Sequence, residues 1–330
     1  IFDCRLGASS SVGRVEQQHS LFIELFPLVT TPQPLVESTA PPSADGVASP
    51  RPHGGAPQAE TRAGFLDAWL TEVPHGAHAN VKLLTERPSQ RTAAVAALCA
   101  AVKDHFIGLD VLSRMRFPLA AAVVDQRLPR GIHIRSGDLG EVIATEYVLA
   151  KTEFRVPLKK LRFKDDRELA MRGDDIIGLH ATRGTPAVLK AEVKSRAALP
   201  KAVVGEACAS LEKNRGRPKS ETLAFIALQL RATNRDDEAE QVEHLLDTRL
   251  GARDIAHVIF TMSGNDPAKP LAAHAAARRL INDRRLVGLH VNDHQSFIHT
   301  IFETVRSSLR SDGGSAPPTS PVAPPDATAP

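Results

Sequence analysis

The stretch that decides the fold is Asp174-Asp175-Ile176-Ile177-Gly178-Leu179, followed after Thr182-Arg183-Gly184-Thr185-Pro186 by Ala187-Val188-Leu189-Lys190-Ala191-Glu192-Val193-Lys194. Two short β-rich runs flank a turn marked by Gly and Pro, which is the pattern of an antiparallel hairpin. Side chains alternate across a strand, so Glu192 and Lys194 share one face while Val193 enters the opposite layer. A hairpin partner brings Asp175 beside Glu192. Before the hairpin, Leu139, Val142, Ile143, Tyr147 and Ala150 recur at helical spacing over 136–150, which places Glu141 on a helix.

Outward from this segment the same two periods alternate. Val95, Leu98, Cys99, Val102 and Phe106 predict a one-sided helix that starts near Ser89, a candidate N-cap. Helical stretches at 201–213 and 238–246 are interleaved with strand candidates at 255–262 and 286–291, and a last helix is expected over 296–309. Alternation of this kind predicts an α/β fold, a mixed sheet flanked by helices, with an N-terminal helical extension.

The ends read differently. Seven of the 24 prolines fall between Thr31 and Glu60 and six between Ser311 and Pro330. Segments this rich in Pro, Ala, Ser and Gly bury too little apolar surface to offset the ordering entropy of roughly 1–2 kcal/mol per residue. Residues 1–60 and 311–330 are therefore expected to be disordered, leaving 61–310 as the folded domain. The apolar patch at Leu21–Phe26 is interrupted by Glu24 and stopped by Pro27, so it is too short to span a membrane, and no signal-peptide pattern surrounds it.

With 42% hydrophobic residues in 330, the chain is not wholly disordered. Aromatics at 4% argue against a base-stacking platform. Cys4, Cys99 and Cys208 are too dispersed for a disulfide framework or a thiolate zinc site, which fits a reducing cytoplasm. A net charge of +3 permits a polyanionic partner without identifying one.

Glu141, Asp175, Glu192 and Lys194 carry the chemistry. Carboxylates gathered at one strand end make a hard oxygen site suited to Mg²⁺ or Mn²⁺, which lowers the pKa of bound water and polarises a phosphoryl oxygen. The Lys194 ammonium beside them serves to hold the attacking water or to balance charge on the phosphate. This is phosphodiester hydrolysis chemistry. Asp174 stands as the alternative to Asp175, since adjacent aspartates leave the register open, although an Asp leading directly into two aliphatics favours Asp175. Glu-x-Lys triplets also mark ordinary solvated strands. Here the triplet follows an apolar run and faces a second acidic strand start, where like charges beside a core need a partner or a metal.

Lys213, Arg215, Arg217 and Lys219 form a basic loop able to track a phosphate backbone. Arg278, Arg279, Arg284 and Arg285 form a second basic set, read as a helix end. His290, His294 and His299 are close in sequence, but nothing completes a zinc pattern, and His257 in its apolar run is expected to be a core histidine. No phosphate-binding Gly-x-x-x-x-Gly-Lys-Ser/Thr sequence occurs, so this chain is not an ATP-driven motor.

A helix Glu, a strand Asp and a strand Glu-x-Lys resemble the active site of the PD-(D/E)XK nucleases. The blocks Ser136-Gly137-Asp138-Leu139-Gly140-Glu141, Arg172-Gly173-Asp174-Asp175-Ile176-Ile177-Gly178 and Lys190-Ala191-Glu192-Val193-Lys194-Ser195-Arg196 are similar to the HamA family. The resemblance is firmest over 131–196 and sets the expected catalytic core at about 131–220. It implies a restriction-endonuclease-like fold, with Glu141, Asp175 and Glu192 as metal ligands and Lys194 as a catalytic partner. It also implies DNA as substrate, a role in the Hachiman antiphage system and a helicase partner of the HamB type. Two other readings stand beside it: a non-catalytic nucleic-acid-binding or adaptor subunit on the same scaffold, and an RNA-cutting nuclease.

Overall fold

The computed structural model of the chain describes residues 64–311, apart from positions 183 and 278. The expectations for 1–60, for the Leu21–Phe26 patch, for 312–330 and for Arg278 lie outside the described residues. Seven strands form one mixed sheet in the order β1-β2-β7-β6-β5-β4-β3. They are β1 (Leu70–Pro74), β2 (Val81–Glu86), β3 (Phe154–Arg155), β4 (Ile176–His180), β5 (Val188–Arg196), β6 (Ile255–Ser263) and β7 (Asp283–His290). The central strands β2, β7, β6 and β5 run parallel, and an antiparallel arrangement closes each edge. Every residue of β6 is buried, as a strand covered on both faces requires.

Helices cover both faces. On one side lie α1 (Arg91–Phe106), α2 (Phe117–Arg127), α3 (Ile132–Lys151) and α8 (His294–Ser311). Leu98, Leu139, Ile143 and Phe302 from these helices join Leu189, Ala191, Val258 and Phe260 from the sheet in one core. On the other side are α4 (Lys201–Glu212), α5 (Ser220–Ala232), α6 (Asp236–Asp247) and α7 (Ala268–Ala275). There Leu223, Ile226 and Leu230 of α5 pack on Ile177, Leu179 and Val188, while Val204 of α4 and Leu271 of α7 pack on Leu286. Burying each such side chain contributes about 1.5–3 kcal/mol, which fixes the sheet between two sealed layers.

The expected α/β architecture is present, and the hairpin, the Glu141 helix and the later strands fall within a few residues of their predicted places. Two details differ. Ser89 does not cap α1: it sits inside a 3-10 turn at Pro88–Gln90, because Pro88 presets the φ of a first turn that precedes the helix. The N-terminal region carries helices as expected, with residues 64–69 already helical, but β1 and β2 stand between that helical stretch and α1 and extend the sheet. β1 has a single buried residue, and so lacks the alternation that would disclose it.

α3 approaches β5 closely at Gly140, where a Cβ would lie 3.1 Å from Ser195 Cβ and 3.2 Å from Val193 Cγ1. That contact brings the next residue, Glu141, over the end of the hairpin. The N-terminus of α3 is held from outside by Glu168, which accepts from the Arg130 and Gly131 amides at 2.7 and 2.9 Å, a favourable placing for an anion. Among the described residues no helix is long and apolar enough to cross a membrane.

Candidate active site

The ladder of β4 and β5 pairs Ile176 with Ala191 and Ile177 with Lys190. One step beyond, where β4 begins, Asp175 stands opposite Glu192. Asp175 Oδ2 accepts from the Val193 amide at 2.7 Å, so its carboxylate folds over β5 at the Glu-x-Lys triplet. Glu192 Oε1 accepts from Lys194 Nζ at 2.6 Å and Oε2 from Ser210 Oγ of α4 at 2.9 Å. Period two thus delivers Glu192 and Lys194 to one face as the sequence requires. Glu141 arrives from α3 and lines a cleft with Asp175 and Lys160, with its side chain 17% exposed and Oε2 3.8 Å from Lys160 Nζ.

The electrostatics tie these groups together. Burial raises the pKa of Glu141, Lys160 works against that rise, and the negative field of Asp175 adds to it. Asp175 is raised by burial and then by Glu192 across the hairpin. Asp175 therefore stands in the field of Glu192 and Glu141 in the field of Asp175, and in both cases the neighbouring charge makes ionisation costlier. Hard oxygen donors under this strain match a divalent cation by chemistry, and Asp175, Glu192 and Glu141 are the residues that would hold it. Their oxygens are at present engaged by the Val193 amide, Lys194, Ser210 and Lys160. Among the described residues no three His, Cys, Asp or Glu side chains converge closely enough to ligate a metal.

Asp174 takes the opposite course. Its buried carboxylate accepts from the Lys219 amide at 2.7 Å and lies 3.4 Å from the buried Lys190 ammonium, and its own amide donates to Thr222 Oγ1 at 3.1 Å. It thereby ties the start of β4 to the N-terminus of α5. The basic loop adjoins this lock. Lys213 and Arg215 are exposed, whereas Arg217 and Lys219 are half-buried. Lys219 Nζ donates to the Gly173 carbonyl at 3.1 Å, so it is already engaged in holding the aspartate pair.

The second basic set separates. Arg284 and Arg285 lie on β7 rather than at a helix end, since the strand starts at Asp283. Arg284 is buried against Glu212 at 2.6 Å, and Arg285 pairs with Asp283 at 3.2 Å. His257 is a buried core histidine bonded to the Gly216 carbonyl at 2.8 Å, as expected. His290 bonds the Gly264 carbonyl and His294 bonds Ser195 Oγ, while His299 is exposed, so the three make no cluster.

The sequence reading did not single out three site neighbours. Lys190 was legible, because it shares the period-two row with Glu192 and Lys194. Lys160 and Ser210 were not, as neither belongs to a motif and both arrive through tertiary packing. Lys160 also donates to the Asp174 carbonyl at 2.7 Å, which fixes it beside both acidic elements.

Comparison with known proteins supplies a family. The Hachiman protein HamA of Bacillus cereus is 24% identical over 182 residues, which cover 55% of this chain and 64% of that relative, so the chain spans less than two thirds of the relative's length. The family model of HamA matches residues 64–305, a span that includes the whole sheet and every candidate site residue. The chain belongs to the HamA family.

Proposed function

We propose that this protein is a metal-dependent nuclease that hydrolyses DNA phosphodiester bonds, acting as an antiphage defence effector under the control of a HamB-like helicase. The observation that carries the reading is the placing of Asp175 opposite Glu192, with Lys194 on the same face and Glu141 arriving from α3. Asp175, Glu192 and Glu141 are the residues that would hold Mg²⁺ or Mn²⁺, which when bound would supply a polarised phosphoryl oxygen and a water acidic enough to attack. Lys194 orients that water by its ammonium and balances the charge that grows on the non-bridging oxygens. The attacking water gives up a proton to solvent as its new P–O bond forms, the ester P–O bond opposite breaks, and the leaving oxygen takes a proton from solvent. Lys213, Arg215, Arg217 and Lys219 contribute the basic flank along which the strand runs. The name of the Bacillus cereus relative supports the defence role, and the helicase partner follows from the family resemblance.

The test is cleavage of plasmid DNA and of RNA by the purified chain in Mg²⁺, with and without a HamB-like helicase. DNA cutting that EDTA stops supports the reading, and cutting of RNA alone replaces the substrate. Binding without cutting, in the presence of the helicase and either metal, establishes the adaptor reading in its place.

A further inference from the structure

Lys190, His257 and Arg284 stand side by side on β5, β6 and β7: the ladders pair Lys190 with His257 and His257 with Arg284. All three are buried, and all three hold the same short segment of chain. Lys190 Nζ donates to the Leu211 and Arg217 carbonyls at 3.3 and 3.0 Å. His257 Nε2 donates to the Gly216 carbonyl at 2.8 Å, and Arg284 donates to the Glu212 carboxylate at 2.6 Å. A carbonyl only accepts, so His257 carries its proton on Nε2. Burial first, and then the nearby Arg284 and Lys190, lower its pKa to about 4 and keep it neutral. A row of basic side chains inside a sheet layer is an expensive arrangement. Its effect is to pin residues 211–217 from beneath.

The pinned segment contains a left-handed turn, with Asn214, Arg215 and Gly216 at φ 54°, 55° and 77° in succession. Only glycine fits the last position, since a Cβ on Gly216 would lie 3.0 Å from Ile281 and 3.1 Å from His257. Asparagine tolerates this conformation through its short polar side chain, whereas arginine gains nothing from it. Arg215 and Lys213 are exposed, and neither side chain makes an ion pair or hydrogen bond among the described residues. The strain has no return within the fold. What it does is leave two cations exposed on the segment that follows Ser210, which lies one helical turn before Lys213 and bonds Glu192 at 2.9 Å.

We infer that the turn Lys213–Gly216 is a preset clamp for the phosphate backbone of duplex DNA next to the scissile bond. Lys213 and Arg215 are its contacting cations, and Lys190, His257 and Arg284 are positioning residues that hold it rigid. The inference rests on the nuclease reading of the same site. It adds that the cations are presented by an anchored, strained turn that reads charge and not sequence.

The test is binding of a fluorescein-labelled duplex to the full chain in EDTA across a salt series, together with melting temperatures. Arg215→Gly removes one cation and relieves the left-handed strain. It is expected to weaken binding, to reduce the slope of log K against log salt by about one, and to raise the melting temperature by about 2–4 °C. Arg215→Lys restores affinity and slope, and Lys213→Ala with Arg215→Gly reduces the slope by about two. Unchanged affinity and slope in the double variant, or a lower melting temperature in Arg215→Gly, overturns the inference. A wild type that cuts plasmid but binds independently of the turn overturns this inference alone. One that binds through the turn and never cuts in Mg²⁺ or Mn²⁺ with the helicase present overturns the nuclease reading alone, and one that binds no duplex overturns both.

Discussion

The two faces of β5 follow opposite rules. Toward α3, Leu189, Ala191 and Val193 are 0, 1 and 8% exposed and belong to one apolar core. Toward α4, the side chains of Lys190, Glu192 and Lys194 are 1, 12 and 21% exposed. The apolar face fixes where the strand sits and which residue faces which. The charged face is graded from sealed to open, so the same alternation that builds the core yields an internal lock at Lys190 and a more open edge at Lys194. Charge on this strand is therefore two kinds of device four residues apart.

The strongest way to break that contrast is at the open end. Glu192→Ala or Lys194→Ala is expected to reduce cleavage by on the order of 10²–10³ or more while leaving the melting temperature close to wild type. A partly exposed side chain at a strand end tolerates truncation better than a sealed pair. Undiminished cutting by both variants removes the assignment of this face as catalytic, and loss of folding by both shows that the pair is structural.

At the sealed end the outcome inverts. Lys190→Met leaves the Asp174 carboxylate buried without its cation, and removing one member of such a pair costs about 3–5 kcal/mol. The two aspartates sharpen the same point. Asp174→Asn should lower the melting temperature, because the Lys219 amide and Lys190 lose a charged acceptor. Asp175→Asn should abolish metal-dependent cutting with little or no loss of stability, since it relieves repulsion from Glu192. Metal titration followed by thermal melting of both variants separates the roles. The reverse ranking would show that Asp174 is the ligand.

What the sequence disclosed and what it withheld divide along physical lines. The hairpin, the Glu141 helix and the shared face of Glu192 and Lys194 follow from periods that act over a few residues, and they are where the pattern puts them. β1 was hidden because an edge strand with one buried residue has no alternation to read. Lys160 and Ser210 were hidden because their place beside Glu141 and Glu192 depends on how separate elements pack. Asp174 and Asp175 were distinguishable only in part, by the aliphatic pair after Asp175. The contact that separates them is made by the Lys219 amide, 45 residues away.

The smallest effect expected is on stability against pH in the absence of metal. The pKa of Glu141 is pushed up to about 8 by burial, with Lys160 opposing and with Asp175 and then Asp138 raising it further, while Lys164 lowers it. A carboxyl raised in the folded state binds more protons there than in the unfolded chain, so stability falls as pH rises through that window. Buried histidines act in the opposite sense. His105 and His257, both lowered to about 4 by burial, make stability rise up to the ordinary histidine range and add nothing above it. The Cys99 thiol, raised to about 11, matters only above about pH 8. Between about pH 7 and 8, then, the unfolding free energy in EDTA should decline, with Glu141 contributing at most about 1.4 kcal/mol per pH unit. Glu141→Gln should flatten the decline by removing the titrating group, and Mg²⁺ should flatten it by favouring the ionised carboxylates. A wild-type curve that rises over this interval, or a Glu141→Gln curve parallel to it, would separate Glu141 from the carboxylate field of the open edge.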